Sequence, residues 1–163
     1  DVRGLSPLAT GLAFVPMTGL TAFVVLVAPR AAARFGPRVP IALGQLLIVV
    51  GLLGVVVAVA LQAPVLLLAI LTIPVGFGSA LAIPTITALL VSNVPAERAG
   101  TASGVLNTCR QLGGALAVAL FGALVAHRET FVQGMQVSLV GAAVLLLVTT
   151  AASLELRGKG SYE

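Results

Sequence analysis

Residues 98–120 read RAGTASGVLNTCRQLGGALAVAL. In this largely apolar stretch stand Asn107, Arg110 and Gln111, a cation and two amides rich in hydrogen-bond donors. On a helix advancing about 100° per residue, Gly100, Ser103, Gly104, Asn107, Arg110, Gln111 and Gly114 all fall within about 60° of Asn107. Val105, Leu112, Leu116 and Leu120 fall opposite, with Cys109. One face is small and polar, and the other suits lipid. Binding along a polar pathway is the chemistry such a face supports, with Ser103, Asn107, Arg110 and Gln111 as its candidate residues.

Arg110 lies about 18 Å along the helix from Arg98. If Arg98 marks a membrane edge, Arg110 sits near mid-bilayer, where a charge costs at least about 2.5–3.5 kcal/mol. Two roles stand open for it. It can line a substrate or ion pathway, or it can be structural, bonded to carbonyls at helix ends. The small residues point to packing: Gly100 and Gly104 form GxxxG, and with Gly114 they let another helix approach closely. Cys109, on the lipid side, reads as a small apolar filler.

Other chemistries find little to work with. Apart from Glu97 in the first turn of the fourth run, no Asp or Glu lies within the apolar runs, so a proton carrier would have to sit elsewhere in a longer chain. The lone histidine, His127, stands beside Arg128 and Glu129 and reads as a solvated loop residue. No Ser/His/Asp set, carboxylate pair or Cys/His cluster suggests an enzyme, a metal or a cofactor. The net charge of +4 is scattered singly, without a basic stripe or aromatic interleaving, which argues against nucleic acid.

The elements that must position this face are membrane helices. Of the 163 residues, 59% are hydrophobic and 9% charged, and the mean hydropathy is +1.16. One soluble core cannot hide that much apolar surface. Prolines and charges divide the chain into five runs near the length of a bilayer span: about 6–28, 40–61, 64–91, 95–126 and 135–154. An all-α membrane protein of five spans, with no soluble domain, is expected. Pro16 should kink the first run. In the third, Pro74 and Pro84 bracket the small residues Gly76, Gly78, Ala80 and Ala82. They predict a static kink or a hinge that lines a cavity. A polar loop, PRAAARFGPR, is expected between the first two runs.

Five spans put the ends on opposite sides. Arg30, Arg34, Arg38, Arg98, Arg157 and Lys159 then share one side, and Arg3 and Arg128 the other. Basic residues favour the cytoplasm, which places residue 1 outside and the C-terminus in the cytoplasm. The chain opens on Asp1 without a recognisable leader and reads as a piece of a longer protein.

The stretches SPLATGLAFVPM, PRAAARFGPR and VPAERAGTASGVLNTCRQLGGALAVAL together resemble the major facilitator superfamily, and more narrowly its fourteen-span drug/proton antiporter branch. The resemblance implies the last five helices of such a transporter, most of its C-terminal six-helix bundle. The loop resembles the family's cytoplasmic motif G-x-x-x-D-R-x-G-R-R. Arg34, Gly36 and Arg38 match it, with Arg30 alongside, whereas Pro29, Ala33 and Pro37 replace its first glycine, its aspartate and one arginine. The role of the family aspartate therefore does not carry over. The resemblance implies proton-coupled export of small amphipathic compounds by alternating access at the plasma membrane. The partners would be the lipid bilayer, the missing N-terminal bundle, a small-molecule substrate and protons. The alternative is a non-transporting membrane protein that packs on partner helices through its small-residue faces.

Overall fold

A computed structural model describes residues 7–155, and among them there are five long α-helices and no strand. These are α1 (Pro7–Phe35), α2 (Arg38–Ala60), α3 (Val65–Ser92), α4 (Ala99–Leu124) and α5 (Phe131–Glu155), with single 3-10 turns at Ala96–Arg98 and Arg128–Thr130. Arg3, Arg157 and Lys159 of the charge tally lie outside the described residues.

The five apolar runs correspond to the five helices, but two loops shrink. The expected polar loop PRAAARFGPR is a loop only at its end. Helix α1 runs on through Arg30 and Arg34 to Phe35, because Ala31, Ala32 and Ala33 are strong helix formers. Gly36 stops it by taking a φ of 78°, a left-handed conformation open to glycine at little cost. The loop HRETFVQG is likewise mostly helical, since α5 already begins at Phe131. Conversely, the start expected near Pro95 is a 3-10 turn, and α4 proper begins at Ala99.

Between α2 and α3 the chain turns on Gln62, whose φ is 52°. The Ala63 amide donates to the Ala58 carbonyl at 2.9 Å and the Gln62 amide to the Val59 carbonyl at 3.1 Å. These two bonds are the paired closure that ends a helix on a left-handed residue. Ala63 tucks its methyl into the core.

The core is built around α2, which packs against α3 on one side and α5 on the other, while α1 packs on α3. Small residues set the α2–α3 spacing. A Cβ on Gly44 would lie 2.5 Å from the Gly78 carbonyl oxygen, and one on Gly51 would lie 2.6 Å from Val75 Cγ2. A Cβ on Gly78 would run into the Gly44 carbonyl. The two backbones are therefore in contact, with Gly76, Ala80 and Ala82 buried alongside. Val24 and Ala28 of α1, Ile41, Val49 and Ala58 of α2, and Ala143 of α5 are other buried apolar residues among those described.

Helix α3 is one element through both Pro74 and Pro84. Each proline lacks the amide that would bond the preceding turn. Hydroxyls flank the defects: Thr72 donates to the Ala69 carbonyl, Ser79 to that of Val75, and Thr85 to that of Leu81. Helix α1 also continues through Pro16.

Arg38–Ala60, Val65–Ser92 and Phe131–Ser153 are long and apolar enough to cross a membrane. Helix α4 has a comparable length of 26 residues, but Asn107, Arg110 and Gln111 lower its apolar content.

Candidate functional site

Helix α4 is continuous from Ala99 to Leu124, so the angular arithmetic that gathers its polar residues holds. Ser103, Asn107, Arg110 and Gln111 stand on one exposed face, flanked by Gly100, Gly104 and Gly114. Among the described residues no side chain bonds Asn107, Arg110 or Gln111. The helix buries none of its residues. Its opposite face is equally open, with Val105, Leu112, Leu116 and Leu120 each about 60–70% exposed.

The glycines of the expected packing and hinge sites have unequal surroundings. Gly100, Gly104 and Gly114 have nothing within 4 Å of where a Cβ would stand, so none packs against another helix among the described residues. The glycines that do mediate close approach are Gly44, Gly51 and Gly78. Gly76 and Gly78, singled out as hinge residues, lie buried in α3, with Gly78 against α2. Small residues on a helix mark a potential contact surface. Only the fold shows which of them has a partner.

The arginines around the first turn are held individually. Arg30 donates from Nη1 to the Leu26 carbonyl at 3.1 Å. Arg34 lies over the Phe35 ring, 5.4 Å from its centroid, within range of a cation–π contact. Both sit in the last turns of α1, where positive charge suits the helix dipole. Arg38 opens α2 and has a buried Nη2 with no partner among the described residues. Arg34, Gly36 and Arg38 thus frame one tight turn.

A polar residue of α2 escapes sequence reading. Gln45 is only 9% exposed. Its Nε2 donates to Thr149 Oγ1 of α5 at 3.4 Å, and its Oε1 is buried without a partner among the described residues. Thr149 itself donates to the Leu146 carbonyl, so its oxygen is the acceptor in the Gln45 bond. The signal was present, since an amide inside an apolar span asks for a partner. A single glutamine among so many aliphatic residues does not stand out by periodicity.

No group of three or more potential metal ligands occurs among the described residues.

An all-helical chain with apolar spans, a glycine-packed core and one polar helix face defines a polytopic membrane protein. Residues 1–118 match the model of the Major Facilitator Superfamily, and the chain belongs to that family. Among its relatives is the multidrug resistance protein Stp of Mycobacterium tuberculosis, 33% identical over 126 residues, which are 77% of this chain and 23% of that protein. The tetracenomycin C resistance and export protein of Streptomyces glaucescens is 34% identical, over 78% of this chain and 24% of that protein. The methylenomycin A resistance protein of Streptomyces coelicolor is 30% identical, over 88% of this chain and 30% of that protein. The chain thus spans about a quarter of the length of the curated relatives it matches most strongly. No solved structure matches it. The resemblance to the superfamily and its drug-efflux branch is borne out by these relatives.

Proposed function

We propose that the chain is the C-terminal portion of a secondary transporter that exports small amphipathic compounds in exchange for protons. The observation that carries this reading is the exposed polar face of α4. An arginine and two amides near the middle of a membrane helix are costly unless they meet a partner or a water-filled cavity. The described residues offer them no partner. In the full-length protein this face meets the N-terminal bundle and the transport pathway, and the two bundles rock around a central site. Ser103, Asn107, Arg110 and Gln111 line that pathway, and the glycines beside them allow close contact with the opposing bundle. Pro74 and Pro84 give α3 two points at which to bend. The proton carrier lies in the remainder of the transporter.

Five spans are proposed, with residue 1 outside and the C-terminus in the cytoplasm, on the strength of the arginine distribution. The names of the relatives speak of drug resistance and export, which favours transport over a purely packing role.

The test is substitution of Arg110 in the full-length protein. Arg110→Ala should abolish or strongly reduce efflux while the protein remains abundant in the membrane. Arg110→Lys should restore only part of it, because lysine keeps the charge but lacks the planar fork of donors. Normal efflux by the alanine variant would refute the pathway role. Loss of the variant from the membrane would make Arg110 structural.

A further inference from the structure

The side of α4 opposite the polar face holds a groove of about 590 Å³, lined by Leu90 and Val94 from α3 and its following turn and by Arg98, Thr101, Ala102, Val105, Leu106 and Cys109. We propose that this groove binds one anionic phospholipid of the cytoplasmic leaflet, its acyl chain along the apolar wall and its phosphate on Arg98.

Three features carry the assignment. The first is polarity: the wall surface is mostly apolar, and the one charge among the lining residues is the cation Arg98. Arg98 is exposed at the start of α4, and Glu97 is not among the lining residues. An apolar slot with a cation at its mouth complements an acyl chain beneath an anionic headgroup.

The second is length. From Arg98 to Cys109 a helix rises about 16 Å, which is about half of a hydrocarbon core of roughly 30 Å. The groove therefore spans one leaflet. The third is position. Val105, Cys109 and Arg98 lie about 160–180° around α4 from Asn107. A bundle seated on the polar face leaves the groove open to the bilayer.

The inference rests on the proposed membrane placement of α4, and its leaflet on the proposed orientation, but the test of lipid binding needs neither transport nor a particular orientation. The full-length protein is reconstituted in nanodiscs of symmetric composition. These contain either phosphatidylglycerol or phosphatidylcholine carrying a photoreactive diazirine in the acyl chain. Irradiation is followed by peptide mapping of the adducts.

Adducts should map to residues 90–109, with phosphatidylglycerol favoured about five-fold, the preference expected of one basic side chain near anionic headgroups. Arg98→Ala should bring the two lipids to parity, and Arg98→Lys should keep the preference. Ala102→Trp, which fills the groove without touching the charge, should remove the adducts at 90–109 and leave those elsewhere as a folding control. Equal labelling by both lipids in the unmodified protein would reduce the groove to ordinary lipid-facing surface and overturn the proposal. So would adducts displaced by a transported drug but not by unlabelled phosphatidylglycerol, which would make the groove a substrate route. Absence of adducts at 90–109 alone, with labelling elsewhere on α4, would show that another helix covers the groove. Absence of labelling anywhere on α4 would instead sink the membrane placement on which the inference rests.

Discussion

Arg110 and Gln45 are both polar residues in an apolar setting, and the fold treats them in opposite ways. Arg110 stands exposed, without a partner among the described residues, whereas Gln45 is buried and bonded to Thr149. The first was legible in the sequence because its neighbours Asn107 and Gln111 share its face. The second was not, because its partner lies on a helix distant in sequence. Gln45 also carries a buried oxygen with no partner among the described residues, and its bond to Thr149 is long at 3.4 Å. Thr149 is exposed and keeps its own bond to the Leu146 carbonyl, so an apolar side chain of similar shape at position 45 leaves no buried group unpaired. Gln45→Leu should therefore leave thermal stability in detergent unchanged or raise it by about 1 kcal/mol. Gln45→Ala, which opens a cavity, should lose about 2 kcal/mol or more. A leucine variant less stable than the alanine variant would show that Oε1 holds a buried water or another partner.

At the scale of the element, the prolines, the apolar runs and the five helices agree closely between sequence and structure. The helix ends do not, for a reason that Arg30 and Arg34 make plain. In an apolar sequence charges mark loops, yet at the end of a helix a cation is favoured, and three alanines between the arginines keep the helix going. Helix pairing was still less legible. Gly100 and Gly104 carry the familiar spacing but touch nothing among the described residues, whereas Gly44 and Gly78 touch backbone to backbone. This contrast makes a matched experiment possible. Gly78→Ala should force α2 and α3 apart and destabilise the protein by about 1–3 kcal/mol. Gly113→Ala, where the new methyl meets nothing within 4 Å, should be neutral or slightly stabilising, since alanine is the better helix former. Equal effects at the two positions, read as shifts in melting temperature, would deny the α2–α3 contact.

For the whole molecule, the arginines argue for one way of facing the membrane. Arg30, Arg34 and Arg38 cluster at the α1–α2 turn and Arg98 at the α3–α4 turn. The turn after α2 has no charge, and that after α4 carries His127, Arg128 and Glu129. Single cysteines at Ala33 and Thr130, both exposed, report on the two sides once Cys109 is replaced by alanine in an otherwise cysteine-free full-length protein. An impermeant thiol reagent added outside intact cells should label position 130 and spare position 33. The reverse result would invert the proposed orientation. Labelling of both would place them on one side and contradict the span count. The whole-molecule arrangement was legible in the sequence only as a bias of arginine to alternate turns, Arg30, Arg34, Arg38 and Arg98 against Arg128. The order in which helices pack depends on surfaces that periodicity does not pair.

The turn at Gln62 and Ala63 has a consequence for how the protein is made. It joins the two most closely packed helices, closes on itself through the Ala58 and Val59 carbonyls, and contains no ionisable side chain. In the proposed orientation this is the turn that must be carried to the outer side. Moving it through hydrocarbon drags no charge along, and its amides at Gln62 and Ala63 travel already satisfied. The arginines at the other end of α2 resist the same passage. Helices α2 and α3 are thus fitted to enter the bilayer together as a hairpin during synthesis, tip first, with the arginine-bearing end left behind as the anchor.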